Sequence, residues 1–318
     1  MDSRLISIVV PVFNEQLSLE PLAREIREVA ASHTLNVQIV FVDDGSTDES
    51  WSVIQRLAEA DATVGGMRFR RNAGKAAALM AGFAAARGDA VVTMDADLQD
   101  PPSEIPRLIE KLDAGFDVVS GWKQHRLDPW HKVYTSRVFN KLIDWLTGLR
   151  LHDHVCGLKA YRGEVARQLR IHGELHRFIM VLAAAKGYRV TEIPTLHRPR
   201  TTGVGKYGFS RFTKGLLDLI TVLVVTRYRW RPQHLIGGVG VWIAVLAGLL
   251  YLAMFLSLWL TPLAFGLGLI AALLFFIVPF LTLIAIGLIA ELAVAERPLD
   301  GLYDVADHAG WCAQQQTS

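Results

Sequence analysis

Two aspartates one residue apart, Asp95 and Asp97, end the apolar run in "AVVTMDADLQDPP". On extended backbone, alternate residues point to the same side, so these two carboxylates face one small volume. Like charges that close require a shared proton or a cation. A hard divalent cation, Mg2+ or Mn2+, takes oxygen ligands and commonly bridges a protein carboxylate to a substrate phosphate. A pair of turn aspartates is common on protein surfaces, so the pair alone says little. It gains weight because acidic groups recur after other apolar runs: Asn14-Glu15 after "LISIVVPVF" and Asp43-Asp44 after "VQIVFV".

The segments that carry these groups alternate in period. "LISIVVPVF", "VQIVFVDDG", "GGMRFRR", "AVVTMD" and "DVVSGW" have the continuous β-branched character of buried strands. Between them run helix patterns, over 18–31 with Leu22, Ile26 and Val29 on one face, and over "SEIPRLIEKLDAG". Ser46 and Glu49 have capping-box spacing and predict a helix to about Ala60. Asn72 is placed to cap the alanine-rich "AGKAAALMAGFAAAR", which stops at Gly88. The order βαβαβαβαβ predicts an α/β domain with a mainly parallel sheet covered by helices. In such sheets ligands bind beyond the C-terminal ends of the strands, where the three acidic clusters fall.

The chain has 318 residues, a formal net charge of +2 and 51% hydrophobic residues. The charge gives no footing for nucleic-acid binding. Two cysteines, Cys156 and Cys312, make no disulfide framework, and the N-terminus has no signal-peptide pattern. The hydrophobic excess is concentrated. Leu235 to Leu260 carries no charged residue, and after Thr261-Pro262 the chain stays uncharged until Glu291. Each run exceeds the roughly 20 residues that span a bilayer, with Pro279 inside the second. "RYRWRPQH" before the pair and "AERP" after it put both ends on the cytoplasmic side. Residues 208–230 alternate cations, aromatics and a short apolar run. That composition fits amphipathic helices on the inner leaflet, or a core helix of the soluble domain. The expected division is 1–207 catalytic, 208–232 juxtamembrane, 233–292 two transmembrane helices and 293–318 a cytoplasmic tail.

"PVFNE", "VDDGSTD", "NAGKAAALMAGF", "DADLQDPP" and "HDHVCGLKAYR", in that order, resemble the successive motifs of family 2 glycosyltransferases. More narrowly they resemble the polyprenyl-phosphate sugar transferases, the branch with bactoprenol glucosyltransferases and dolichol-phosphate mannose synthase. The resemblance runs from about Ile6 to Tyr207 and continues through the paired apolar runs. It implies a GT-A fold and a divalent metal holding a nucleotide-sugar diphosphate. By position it implies that Pro11, Val12, Asn14 and Glu15 line a nucleotide pocket and that Asp43 accepts hydrogen bonds from base or ribose. Asp44 is then either a turn residue or part of the same motif. Gly74 and Lys75 would close on the nucleotide. Asp95 would hold base or ribose near the metal, Asp97 would bind the metal, and Gln99 would lie near metal and diphosphate.

Asp153 in "HDHVCGLKAYR" matches the family's candidate base. A lipid phosphate with a second pKa of about 6 is largely ionised already, so Asp153 fits equally as a group that orients the acceptor, binds metal or stabilises charge. An anion attacking a diphosphate-linked sugar needs cations to offset repulsion. The candidates are Lys123, Arg126, Arg137, Lys159, Arg177, Arg200 and Lys206, and the resemblance favours Arg137, Arg200 and Lys206 as lipid-phosphate ligands. His152, His154, His172 and His176 show no zinc-ligand spacing. No "QxxRW" string occurs, "ELHRF" being the nearest, and one hairpin is too little for a polymer channel. The expectation is therefore an inverting enzyme that moves one sugar, glucose from UDP-glucose, to polyprenyl (undecaprenyl) phosphate at the bacterial inner membrane. Alternatives are GDP-mannose, UDP-N-acetylglucosamine or a UDP-amino-arabinose derivative as donor, or a non-catalytic membrane scaffold. Glycines at Gly237, Gly238, Gly240, Gly266 and Gly268 suggest close helix association and a homo-oligomer.

Overall fold

The computed structural model describes residues 4–124, 130–199, 210–227 and 303–314, with isolated helical positions between 242 and 293; the side chains of 130–138, 210–214, 216, 227 and 314 are outside this description. The chain divides into two compact units, Met1–Asp218 with Pro298–Ser318, and Leu219–Arg297.

The first unit is built on an eight-stranded sheet. In chain order its strands are β1 (Leu5–Val12), β2 (Asn36–Asp43), β3 (Val64–Phe69), β4 (Ala90–Thr93), β5 (Val118–Lys123), β6 (Lys159–Arg162), β7 (Val190–Thr195) and β8 (Val305–Gly310). Across the sheet they lie β7-β5-β6-β4-β1-β2-β3-β8. β1 pairs in parallel with β2 on one side and β4 on the other. β2–β3 and β5–β7 are also parallel, so the mainly parallel expectation holds. β1 and β2 are buried along nearly their whole length, which is why they read as unbroken apolar runs rather than alternating ones.

The helices that cover the sheet are α1 (Leu19–Ser32), α2 (Ser50–Ala60), α3 (Lys75–Ala85) and α4 (Ile105–Asp113). α1 turns Leu19, Leu22, Ala23, Ile26 and Ala30 inward. α3 is the alanine-rich segment and packs so closely that a Cβ on Gly82 would meet Val9 Cγ1 at 2.2 Å. Two helix starts differ from expectation. The Ser46–Glu49 capping box does not form, because Ser46 Oγ accepts from Asn14 N (2.9 Å) and the helix begins at Ser50. Asn72 does not cap α3, whose N-cap is Gly74 at φ 91°, a backbone conformation suited to glycine.

Three strands were not read from the sequence. β6 enters antiparallel between β4 and β5, and β7 forms the far edge. β8, within the expected C-terminal tail, pairs antiparallel with β3. Around β8, Tyr303 stacks on Phe69 with ring centroids 4.9 Å apart, and Trp51 Nε1 donates to Asp307 Oδ2 at 3.2 Å. Further helices among the described residues are α5 (Trp130–Thr147), α6 (Gly163–Gln168), α7 (Ile179–Ala185), α8 (Ser210–Arg227) and the short α9 (Trp311–Gln314). α8 covers the segment expected to be amphipathic, with Leu219, Val222 and Val224 buried and Leu217 exposed. Among the described residues no helix is long and apolar enough to cross a membrane; most of 233–292, where the two spans were expected, lies outside the described residues.

Candidate active site

The C-terminal ends of β1, β2 and β4 meet at a cavity of about 350 Å3 lined by Pro11, Val12, Phe13, Glu15, Asp44, Asn72, Gly74, Lys75, Asp95, Ala96 and Asp97. Adjacent parallel strands deliver their last residues to one rim, which is how motifs up to about 85 residues apart in the chain come together.

Lys75, the first residue of α3, forms an ion pair with Asp95 Oδ1. Burial alone would raise the Asp95 pKa. The Lys75 ammonium, helped by Lys123 and Lys159, outweighs it and brings the carboxyl down to about 2. Asp97 is shifted the other way. Burial and then the charges of Asp95 and Asp100 raise its pKa, against a lowering by the Gln99 backbone N–H and Lys123. That N–H reaches Asp97 Oδ1 at 3.2 Å because Leu98 adopts the left-handed conformation, φ 63°, which is strained for a residue with a branched side chain. One carboxylate is thus held ionised by lysines, while for its neighbour burial and like charge outweigh the Gln99 N–H and Lys123.

The "HDHVCGLKAYR" motif closes the site from the side of β6. A Cβ on Gly157 would fall 2.6 Å from Asp95 Oδ2, so only glycine allows that approach. Lys159 is buried at 3% exposure, with Nζ donating to the Cys156 carbonyl. Burial lowers its pKa, while Cys156, Asp153 and Asp95 act to raise it. Asp153 is buried, its Oδ1 accepts from Val155 N (3.1 Å), and its own N–H donates to Glu192 Oε2 (3.2 Å). Lys159 therefore feels the charges of both Asp95 and Asp153.

Several expected residues stand apart from the cavity lining. Asn14, in the left-handed conformation at φ 58°, accepts from Thr47 N (2.8 Å) and braces the "DDGS" turn. Asp43 is fully buried; its Oδ1 accepts from Ser46 N (3.0 Å), and Arg68 Nε lies 3.4 Å from its Oδ2. Asp44 takes the lining position instead. It accepts from Ala73 N (2.6 Å) and Gly74 N (2.9 Å), tying the β2 end to the start of α3. Neighbouring residues on a strand point to opposite sides, so one step in phase exchanges the two roles. The Gln99 carbonyl accepts from Arg198 N (2.8 Å), and Gln99 is not among the lining residues.

Of the phosphate candidates, Arg137 sits in α5 with its side chain outside the described residues, as are Arg200 and Lys206. Lys75, Lys123 and Lys159 supply the described cations around Asp95. His154 is buried, with Nε2 and Asp144 Oδ1 2.8 Å apart. His152 pairs with Glu192 and stacks on Trp122 at 3.9 Å. Both histidines are paired with carboxylates, Asp144 and Glu192. Phe13, Asn72 and Ala96 line the cavity without having been expected to; only adjacency to the motifs pointed to them.

The fold and site are an α/β sheet with an acidic, lysine-flanked cavity at its strand ends. The comparisons give this class a family. The model for glycosyl transferase family 2 matches residues 7–170, and the chain belongs to that family. Dodecaprenyl-phosphate galacturonate synthase of Rhizobium johnstonii is 38% identical over 258 residues, covering 78% of this chain and 75% of that protein. An undecaprenyl-phosphate 4-deoxy-4-formamido-L-arabinose transferase of Edwardsiella ictaluri is 41% identical over 229 residues, covering 71% and 70%. Among solved structures, glucosyl-3-phosphoglycerate synthase from Mycobacterium tuberculosis, in complex with Mn2+, UDP and phosphoglyceric acid, superposes with a TM-score of 0.53 at 20% identity, covering 70% of this chain and 78% of that one. That likeness supports the GT-A fold.

Proposed function

We propose that the chain transfers one sugar from a nucleotide donor to a polyprenyl phosphate at the inner face of a bacterial membrane. The observation that carries the reading is the Asp95/Asp97 pair at the cavity rim, one carboxylate held ionised by lysines and the other pushed up by burial and like charge. The acceptor comes from the two relatives above, both named for polyprenyl phosphates.

A divalent cation fits Asp97 with Asp95. Among the described residues no three or more His, Cys, Asp or Glu side chains gather into a complete cage, and a two-carboxylate set suits Mg2+ or Mn2+, which fill their shell with water and substrate phosphate. When bound, the ion would neutralise charge on the leaving diphosphate. The chain's own groups do the rest. Pro11, Val12, Glu15 and Asp44 bound the nucleotide end of the cavity. Lys75 keeps Asp95 ionised and oriented. The lipid phosphate oxygen attacks the anomeric carbon, the bond to the diphosphate breaks, and the nucleoside diphosphate departs with the electron pair and inversion at that carbon. Asp153 orients the acceptor, and Lys123 and Lys159 reduce repulsion between the two anions.

For the donor, the relatives shift the reading from glucose to a UDP-linked uronic acid or formamido-pentose, since they are named for galacturonate and 4-deoxy-4-formamido-L-arabinose. For the membrane, the chain leaves the catalytic unit at Asp218 and rejoins it at Pro298, with β8 paired to β3. Both ends of the apolar stretch are thereby attached to one folded domain, which suits an even number of crossings and therefore a hairpin across residues 233–292. Arg137, Arg200 and Lys206 are proposed to meet the lipid phosphate, and the hairpin glycines to let copies associate.

The test uses full-length protein in membranes with Mn2+, polyprenyl phosphate and labelled UDP-galacturonate, UDP-4-deoxy-4-formamido-L-arabinose or UDP-glucose. A labelled lipid with one of the first two is expected. Absence of labelled lipid with every donor overturns the transferase reading in favour of a scaffold.

A further inference from the structure

Asp100 lies three residues beyond Asp97, and its carboxylate is buried, at 1% exposure. A carboxylate removed from water needs cations or donors, and here they arrive from distant strands. Lys123, the last residue of β5, places Nζ 2.9 Å from Asp100 Oδ1. His197, just after β7, brings Nδ1 to 3.8 Å from the same oxygen. Further bonds tie the His197 segment to the acidic loop. Arg198 N donates to the Gln99 carbonyl at 2.8 Å. Leu196 N donates to Glu104 Oε1 at 3.2 Å, and Glu104 is itself buried at 3% exposure. The Arg198 guanidinium reaches both carboxylate oxygens of Glu25, at 3.0 and 2.8 Å.

The turn that follows does not use Asp100. Pro101 and Glu104 occupy the cap positions of the short 3-10 turn Pro102–Glu104 and of α4, and no side-chain hydrogen bond caps either one. Prolines fix that geometry by themselves. The Asp100 carboxylate instead faces the ends of β5 and β7. The Lys123 charge also acts on Asp95 and Asp97, so the ion pair lies beside the pair of carboxylates at the cavity rim.

We propose that Asp100 is a positioning residue for the transfer reaction: its buried carboxylate pairs with Lys123 and faces His197, fixing the ends of β5 and β7 relative to the donor-side carboxylates. The kinetic part rests on the transferase reading above. The geometry assigns Asp100 no contact with either substrate. Its loss acts through Lys123 and His197.

The test is Asp100→Asn in the full-length protein, which keeps the side chain's size and removes its charge. The KM for polyprenyl phosphate is expected to rise about tenfold while the KM for the nucleotide sugar stays within about twofold. Amide hydrogen exchange at Leu196, bonded to Glu104, and at Arg198, bonded to the Gln99 carbonyl, is expected to speed up, because His197 between them loses the charge it faces. A merely structural role would move both KM values together with thermal stability, and that result overturns the proposal. So does unchanged exchange at both amides. If the single variant fails to fold because Lys123 is left buried and unpaired, Asp100→Asn with Lys123→Met removes both charges and relieves that penalty. The acceptor KM is expected to stay raised in the double variant, and its return to the wild-type value overturns the proposal. His197→Ala is expected to raise the acceptor KM and to add nothing further in combination with Asp100→Asn; additive effects count against a shared clamp. A wild-type protein that makes no glycolipid defeats the transferase reading alone, and the exchange measurement then decides the clamp.

Discussion

Gly157 stands so close to Asp95 that a Cβ on the glycine would lie 2.6 Å from Oδ2 and 2.7 Å from Cγ of the carboxylate. The "HDHVCGLKAYR" segment and the Asp95–Asp97 loop therefore touch at a point where even one methyl group does not fit. Gly157→Ala is expected to push the Asp95 carboxylate aside and disturb its ion pair with Lys75. Displacement of a reacting group by about 1 Å costs on the order of 100-fold in rate, and kcat is expected to fall by about that much while the domain stays folded. Steady-state kinetics beside a circular dichroism melt check this; an alanine variant with wild-type kcat contradicts the contact.

Asp97 predicts a conflict between stability and function. Its pKa is raised by burial and by Asp95 and Asp100. A folded-state pKa above the unfolded value contributes stability only while the group is protonated, and that contribution is lost as pH rises through the folded pKa. At neutral pH the ionised Asp97 is therefore a cost. In the presence of a chelator, Asp97→Asn is expected to melt higher than wild type. Added Mn2+ is expected to stabilise wild type by mass action and to leave the variant's melting temperature unchanged, with activity abolished. Thermal melts with and without Mn2+ give both readings, and equal Mn2+ stabilisation of the two proteins removes Asp97 as the ligand.

Lys75 and Asp95 give the opposite sign. Asp95 has its pKa brought down to about 2 by Lys75, with Lys123 and Lys159 assisting, against about 3.9 for an unperturbed aspartate. A depressed pKa contributes stability that is present above the unfolded value and lost as pH falls toward the folded one. Wild type is expected to lose this contribution between about pH 4 and pH 2. Lys75→Met lifts the Asp95 pKa and is expected to show a shallower loss of stability across that window, together with a weaker grip on the nucleotide. Urea melts at stepped pH measure the first, and calorimetry with UDP the second; parallel pH curves for the two proteins contradict the pairing.

Much of this arrangement was legible in the sequence because its strongest signals are short in range. The buried parallel strands announce themselves as unbroken apolar runs, and Asp95, Asp97, Gly74, Lys75, Glu15, Pro11 and Val12 reach the cavity as their motifs suggest. What escaped was phase and long-range pairing. Asp43 and Asp44 are adjacent, and only the pleat at the end of β2 decides that Asp44 lines the cavity while Asp43 is buried beside Arg68. Lys159 reads only as one of seven candidate cations, and it is the antiparallel insertion of β6 beside β4 that buries it. No partner of Asp100 is visible in the sequence, because Lys123 and His197 lie 23 and 97 positions away.

The C-terminal strand carries the last prediction. β8 covers the edge of β3, and an uncovered edge of a sheet invites pairing with other chains. Just beyond it, Trp311 lies over Gly65, where an added Cβ would meet the indole at 2.6 Å, and its Nε1 donates to Thr63 O at 3.3 Å. Gly310, at φ 58°, makes the sharp exit into that packing. Trp311→Ala is expected to destabilise the catalytic unit by about 2 kcal/mol, below the 3–5 kcal/mol typical of a fully buried tryptophan because this one is only half-buried. The nearby Gly65→Val forces the same indole out by overpacking and is expected to cost a comparable amount. Because β3 also carries Arg68 against Asp43, loosening β8 is expected to weaken UDP binding along with the melting temperature, although no residue of β8 lines the cavity. Denaturant melts, light scattering and UDP titrations of the two variants test this together. Wild-type stability in both variants would mean that β8 contributes nothing to the sheet it completes.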